Sequence, residues 1–342
     1  MAIAHTRMKS ISRGTRSTVA ALAYRSGCKL TDAVGGESHN YRSKEVGRAE
    51  LLLPKDAPLW AQDLKKLIAG NREKGVQTLS DLLEGAEKRK DARVFREFEF
   101  SLPRELTDAQ CIELGTDFLK EYACREGMAV LANYHFDVDK KTGERKPHCH
   151  ALMFTRRLDE SGLSLRKETA WNRLSLGQEL RDGFVKFTNA HLAKHGFDVR
   201  IDGRTYKEQG IDLVPQPKRG PKYEEMAQKN KPGALQRMKE FDLTKAMNLH
   251  KVLRNPEIIL EIVAKEQATF MWGDVQRVLS RQVKDVEVFN FIDEFLKQSP
   301  ELVLLREKTV FEGEERVERQ VFTTRSLVEK EQSILKLRDM MI

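Results

Sequence analysis

The chain has 342 residues, of which 40% are hydrophobic and 33% charged, and its formal net charge is +8. This length supports a full core and a second small domain, and the composition describes a globular protein with a heavily charged surface. No apolar run is long enough to span a bilayer and the N-terminal M-A-I-A-H-T-R-M-K lacks a signal-peptide apolar region, so no membrane insertion and a cytoplasmic setting are expected. The positive charge fits a polyanionic partner, and it is concentrated: residues 1–48 hold nine Lys or Arg against three acids, which places most of the surplus at the N-terminal end. Cys28, Cys111, Cys124 and Cys149 form no C-x-x-C pair, the pattern of free thiols in a reducing compartment.

Ala2 to Met8 reads as a short strand, with Ser10, Ser12 and Gly14 supplying a polar turn. Ser17 or Thr18 can cap a short helix through Ala20, Ala21, Leu22 and Ala23 that Gly27 ends, placing Tyr24 in its last turn. A tyrosine among alanines is, on its own, most simply a packing residue. Gly35 to Arg48 is polar and Gly-rich, with a second tyrosine, Tyr41, in the basic H-N-Y-R-S-K. Ala49 to Pro54 predicts a strand, Pro58 to Arg72 a helix with Trp60, Leu64 and Leu67 on one face, and residues 73–91 a charged helix. Arg93 to Leu102 alternates, with Val94, Phe98, Phe100 and Leu102 on one face of a strand and Phe95, Glu97 and Glu99 on the other.

A helix capped by Thr107 or Asp108 follows, burying Cys111, Leu114, Phe118 and Tyr122 at helical spacing and ending at Gly127. Glu168 to His195 predicts a second amphipathic helix that includes Leu174, Leu176, Leu180, Phe184 and Phe187, and Phe197 to Ile201 a short strand or extended segment. Strand, helix, hairpin and helix in that order predict an α+β domain, an antiparallel sheet with helices on one side. From Pro215 the composition shifts to P-Q-P-K-R-G-P-K and a lysine-rich run, read as a linker or basic arm over 226–254. Residues 255–342 regain periodicity. Ile258 to Val263, Val275 to Leu279 and Val286 to Leu296 predict three helices, and Leu302 to Leu305, Thr309 to Phe311 and Gln320 to Thr323 predict strands around the Gly313 turn, a winged-helix-like pattern. Ser326 to Met341 reads as a charged helix whose Leu327, Ile334 and Leu337 want a partner.

The most informative stretch is Tyr134 to Phe154, Y-H-F-D-V-D-K-K-T-G-E-R-K-P-H-C-H-A-L-M-F. His148 and His150 lie two apart, so on a strand both rings project from one face, while Cys149 points the other way, toward the core. His135 closes the apolar run from Met128, and the polar insert Asp139 to Pro147 with Gly143 predicts a hairpin that returns the chain beside it. An isolated H-x-H is weak. Three histidines on adjacent strands, with Asp137 and Asp139 near enough to hold a ring N–H, suit a divalent Lewis acid with open positions better than a closed structural zinc site.

This stretch resembles the third motif of the MobA/MobL (MobQ-type) conjugative relaxases, an HUH endonuclease family in which a histidine precedes a P-H-x-H block. R-E-F-E-F-S-L-P-R-E-L from Arg96 and D-G-R-T-Y-K-E-Q-G-I-D from Asp202 resemble further family blocks in the family's order, and A-Y-R-S-G resembles the block that carries the catalytic tyrosine. The resemblance covers about residues 1–225 and is strongest to relaxases of the TraA kind, in which a helicase follows. It implies an HUH fold, an antiparallel sheet flanked by helices, in a domain 1–225. Beyond the 226–254 linker, 255–342 would be the small segment that precedes a helicase.

The implied activity is strand-specific nicking and rejoining at an origin of transfer. Tyr24 would be the nucleophile of a 5′-phosphotyrosine intermediate, and His135, His148 and His150 would hold Mg²⁺ or Mn²⁺, though imidazoles would also take Ni²⁺ or Zn²⁺ in a purified sample. Glu97, Glu99 and Asp137 would orient the histidines or take the phenolic proton, with the division of labour open. Tyr41 corresponds to a Y-D-Y-like segment read as DNA contact or structure. Arg7, Lys9, Arg13, Arg16, Arg25, Arg42, Lys44 and Arg204 are the candidate phosphate contacts. Implied partners are single-stranded origin DNA with a hairpin, a type IV secretion coupling protein and a helicase, fused or separate. No G-x-x-x-x-G-K-[ST] loop occurs in the chain, so the expectation is the N-terminal part of a longer protein or a short form that recruits its helicase. Two rivals are a rolling-circle replication initiator, whose tyrosine usually lies downstream of the histidines, and a non-catalytic DNA-binding module.

Overall fold

The computed structural model describes residues 5–13, 17–33, 35–140, 143–216, 221–312 and 315–341. The chain divides into two compact units, Met1–Phe197 and Asp198–Ile342.

The first unit is built on a five-stranded antiparallel sheet. In chain order it contains β1 (Thr6–Ser12), α1 (Thr18–Ser26), β2 (Lys29–Thr31), β3 (Ser38–Asn40), β4 (Arg48–Leu52), α2 (Leu59–Gly70), α3 (Arg72–Gly85), β5 (Arg93–Ser101), α4 (Asp108–Tyr122), β6 (Val130–Val138), β7 (Arg145–Phe154), β8 (Arg156–Asp159), β9 (Gly162–Lys167) and α5 (Leu176–Lys194). The sheet order is β1-β5-β7-β6-β4, so the two histidine-bearing strands, β6 and β7, lie next to each other near its centre. Strand alternation gives the sheet two apolar faces. On one, Ile11, Phe95, Leu131 and Leu152 pack with Val19 and Leu22 of α1, Leu64 and Ile68 of α2 and Val76 and Leu79 of α3. On the other, Phe98 packs tilted and Phe100 edge-on against Phe118 of α4, and the Phe100 ring centroid lies 4.7 Å from that of Phe184 of α5. Helices therefore cover both faces rather than one: α1 to α3 bury Val19, Leu22, Leu64, Ile68, Val76 and Leu79 on the side opposite α4 and α5.

Most boundaries follow from the caps expected. Ser17 accepts from Ala20 N at the start of α1, Gly27 closes it with φ 61°, and Thr107 with Gln110 forms a capping box on α4. Four details differ. Ser10 and Ser12 lie within β1, paired with β5, rather than in a turn; Ala2 to Ala4, Gly14 and Gly313 lie outside the described residues. The helix expected from Glu168 begins only at Leu176, after a short 3-10 turn, and Leu174 is fully exposed instead of buried. The β8–β9 hairpin occupies a stretch with no strand expected, because its alternation spans only four to six residues. Val199 makes a single bridge to Gln267 in place of a strand.

The second unit comprises α6 (Pro221–Gln228), α7 (Pro232–Arg254), α8 (Ile258–Glu266), β10 (Phe270–Met271), α9 (Trp272–Gln282), α10 (Val286–Lys297), β11 (Leu302–Glu312), β12 (Glu315–Thr324) and α11 (Arg325–Met341). Three helices followed by a hairpin, with sheet order β10-β12-β11, reproduce the winged-helix-like pattern of the sequence. The run expected as a linker is instead the 23-residue helix α7, with Pro232 in its first turn. Asn248 of α7 accepts from Val214 N at 2.8 Å and donates to Val214 O at 2.9 Å, holding the buried Ile211 and Leu213 in this unit, so the contact boundary falls at 197/198 rather than 225. No helix among the described residues is long and apolar enough to cross a membrane.

Candidate metal centre

His135 sits opposite His148 in the β6–β7 register, and Asn133 opposite His150, which places all three imidazoles on the sheet face that α1 covers. Their centroids are 5.0 to 5.2 Å apart. Each ring has one nitrogen fixed by an oxygen: His135 Nε2 donates to Arg25 O at 2.9 Å, His148 Nδ1 to Lys146 O at 2.9 Å, and His150 Nδ1 to Glu97 Oε1 at 2.6 Å. Carbonyl and carboxylate oxygens accept only, so these bonds set three tautomers and leave three ring lone pairs. Burial pushes His135 down to about 3 and lowers His148 as well, with neighbouring positive charge adding to the effect, so both are neutral at pH 7. His135 Nδ1 is buried and has no hydrogen-bond partner. Three converging imidazoles, one with an orphaned lone pair, fit a divalent cation.

Glu97, fully buried on β5, is the centre of the polar network. It accepts from His150, from Arg25 Nε and Nη2 at 2.6 Å each, and pairs with Lys9 Nζ at 3.1 Å. Burial alone would raise its carboxyl; the bonds from His150 and Arg25 and the charges of Arg25 and Lys9 outweigh that and hold it well below the usual range. Glu99 pairs with Lys9 at 3.0 Å. Ligand atoms of Glu97, Glu99 and His150 lie within 4.8 Å of one another, but Arg25 and Lys9 already neutralise those carboxylates. Cys149 points away from the rings, as expected, into a core that raises its thiol.

Tyr24 emerges from the last turn of α1 and is 45% exposed, not packed among the alanines. Tyr41 meets it edge-on at 5.3 Å and Lys44 Nζ lies 3.7 Å over its ring. Arg25 ties this helix end to the cluster from two sides, by its side chain to Glu97 and by its carbonyl to His135. Gly27 makes that closeness possible: a Cβ there would lie 2.6 Å from Lys44 O.

The remaining expected residues separate. Arg25, read as a phosphate contact, is 6% exposed and spent on Glu97 and Ala21 O, which corrects that assignment. Arg13 likewise turns inward, onto Glu84 and Glu87 O at the end of α3. Lys9 is half-buried between Glu97 and Glu99. Arg7 is exposed on β1; Arg42 is exposed but pairs with Glu73, and Arg204, in the second unit, pairs with Asp202. Arg16 lies outside the described residues. Asp137 is exposed two residues beyond His135, within electrostatic reach of His148 and Lys44. Asp139 bonds Lys146 at the hairpin. Sequence reasoning missed Arg25 as a strut; the signal was an inward-facing glutamate, which demands a buried cation.

A second group, Glu113 of α4 with His191 and His195 of α5, also brings ligand atoms within 4.8 Å. There Gln110 Oε1 is committed to the α4 cap, so its Nε2 donates to His195 Nδ1, and Lys194 holds Glu113. His195 Nε2 is nonetheless buried without a hydrogen-bond partner, so one donor of this second group stays uncommitted.

Fold and site together define an antiparallel-sheet protein with a histidine cluster beneath a helix-borne tyrosine. The chain belongs to the MobA/MobL family, whose model matches residues 16–229. It is 30% identical to the conjugal transfer protein TraA of Agrobacterium fabrum over 98% of this chain and 32% of that protein, and 29% identical to the mobilization protein MobL of Acidithiobacillus ferridurans over 65% of this chain and 62% of that protein. The chain thus spans about a third of the length of its TraA relative. A solved structure described as the molecular basis of vancomycin resistance transfer in Staphylococcus aureus aligns at TM-score 0.50 and 27% identity, covering 59% of this chain and 98% of that one.

Proposed function

We propose that this chain is a conjugative relaxase that nicks and rejoins one DNA strand at an origin of transfer. The observation that carries the reading is the exposed Tyr24 on a helix end that Arg25 anchors to the histidine cluster. Tyr24 Oη attacks the scissile phosphorus, the P–O3′ bond breaks, and the DNA 5′ end is left as a phosphotyrosine with a free 3′-hydroxyl; the reverse reaction rejoins it without nucleotide hydrolysis. An unperturbed phenol titrates near pH ~10, so it must lose its proton as it attacks. Glu97, saturated by His150, Arg25 and Lys9, orients His150; Asp137, exposed on the same face, takes the phenolic proton. His135, His148 and His150 would hold a divalent ion, Mg²⁺ or Mn²⁺ in cells and Ni²⁺ or Zn²⁺ as purified, which would supply charge neutralisation for the scissile phosphate.

The exposed Arg7 and Arg42 and the Tyr24–Tyr41 pair supply phosphate and base-stacking contacts for a single strand. Its substrate is the cognate origin with its hairpin, its further partners are a secretion coupling protein and a helicase, fused or separate, and its setting is the cytoplasm. We assign the functional parts as 1–225 and 255–342, with the helical run of α7 taking the place of the expected linker over 226–254. Incubation with a single-stranded oligonucleotide spanning the origin and Mg²⁺ should give a band shift that survives denaturant. Tight binding with no covalent product under any divalent ion would make the chain a binding module instead.

A further inference from the structure

Lys44 belongs to a segment fixed by its backbone. Tyr41 N donates to Cys28 O at 3.0 Å, Lys44 N to Tyr41 O at 2.9 Å, Gly47 N to Tyr134 O at 2.9 Å, and Arg72 holds Val46 O at 3.0 Å. The segment lies against the end of α1, where Gly27 leaves room for Lys44 O. So placed, the ammonium stands 3.7 Å from the Tyr24 ring centroid while Tyr41 closes on the ring edge-on. An aromatic face attracts a cation, the more so where water is partly excluded, and Lys44 is half-buried. Gly47, three residues on, bonds Tyr134 O next to His135, so the same segment also runs past the histidine cluster. Lys44 therefore stands near both the ring and the cluster, and a phosphate attacked by Tyr24 would lie within its field.

We propose that Lys44 is a positioning residue of this site: it clamps the Tyr24 ring and sets a fixed positive charge beside the histidines for the scissile phosphate. The proposal rests on the reading of Tyr24 as the nucleophile. A lysine that merely gripped the DNA backbone would contribute to affinity; one already engaged with the ring acts on the geometry and field of the bound state.

Lys44→Met and Lys44→Gln remove the charge at similar length, and the Gln variant keeps the test open if Met impairs folding. At saturating single-stranded origin oligonucleotide, adduct formation should slow roughly ten- to hundredfold while Kd changes less than about threefold. Calorimetry on the DNA-free protein should show Mn²⁺ affinity rising about three- to tenfold, because a fixed cation no longer opposes a divalent one. Lys44→Arg, which keeps a cation over the ring, should retain more of the rate than either. An unchanged rate and unchanged Mn²⁺ affinity would overturn the proposal, as would a loss confined to Kd, which would make Lys44 a plain phosphate contact. The Mn²⁺ measurement involves no nucleophile, so a Tyr24→Phe protein that still forms adduct would defeat the nucleophile reading without deciding the role of Lys44.

Discussion

Arg25 grips Glu97 through two hydrogen bonds of 2.6 Å, and the same residue's carbonyl accepts His135 Nε2 at 2.9 Å. One residue thus joins the helix carrying Tyr24 to the strand that orients His150 and to a histidine of the cluster itself. The neighbour of Tyr24 in sequence sets where Tyr24 stands.

Because this pair is buried, breaking it on one side strands a charge. Arg25→Ala should lower stability by roughly 3–5 kcal/mol. Glu97→Gln should weaken metal binding about ten- to hundredfold by loosening His150. Urea unfolding and metal titration measure the two effects; a loss of metal affinity with His150 unmoved would contradict the strut.

Gly27 should not tolerate a side chain. Its φ of 61° and the 2.6 Å approach of Lys44 O mean that Gly27→Ala strains the backbone and pushes the Lys44 segment away. We expect a loss of roughly 1–3 kcal/mol and a slower adduct reaction. Wild-type unfolding behaviour would show that this cap is looser than described.

Metal-free protein should become less stable as pH falls below the ordinary histidine range. His135 is pushed down to about 3 in the folded state, so between there and about 6.5 the unfolded chain binds the extra proton and stability rises with pH. His148, lowered too, adds in the same sense. The stabilisation is complete above about pH 6.5 and is lost toward pH 3. Unfolding free energies at pH 5 and pH 7 should differ in that direction, and His135→Asn should flatten the dependence; an unchanged slope in that variant removes His135 as its source.

Salt should weaken DNA binding, with each phosphate contact adding about 0.7 to the log–log slope on single strands. Arg7→Ala should reduce the slope by about that amount. Arg13→Ala, whose guanidinium is spent on α3, should leave it unchanged while lowering stability. Equal effects from both variants would mean that Arg13 turns outward on binding.

The sheet and the histidine hairpin were legible because their signals are local. Alternation in Arg93 to Leu102, the caps Ser17 and Thr107, and the two-residue spacing of His148 and His150 each survive folding unchanged. What sequence could not give was the direction of charge. Arg13, Arg25 and Arg42 look alike in a basic N-terminus, yet the first two turn inward to carboxylates 71 and 72 positions away, while the third pairs with Glu73 at the exposed surface. Long-range pairing of that kind leaves no period to read. The lysine-rich run expected as a linker is α7: its buried apolar positions, Ala234 and Val252, are too sparse to give a readable period, and the polar Asn248 adds two bonds to Val214.

The central claim is that Tyr24 forms the bond to DNA, and peptide mapping of the covalent product tests it most directly. Trypsin cuts after Arg16, Arg25, Lys29 and Arg42, so Tyr24 and Tyr41 fall on different peptides, 17–25 and 30–42. Mass spectrometry should find the nucleotide on 17–25, and Tyr24→Phe should abolish it while leaving DNA binding nearly intact. A nucleotide on 30–42, or an adduct that persists in Tyr24→Phe, would contradict the account.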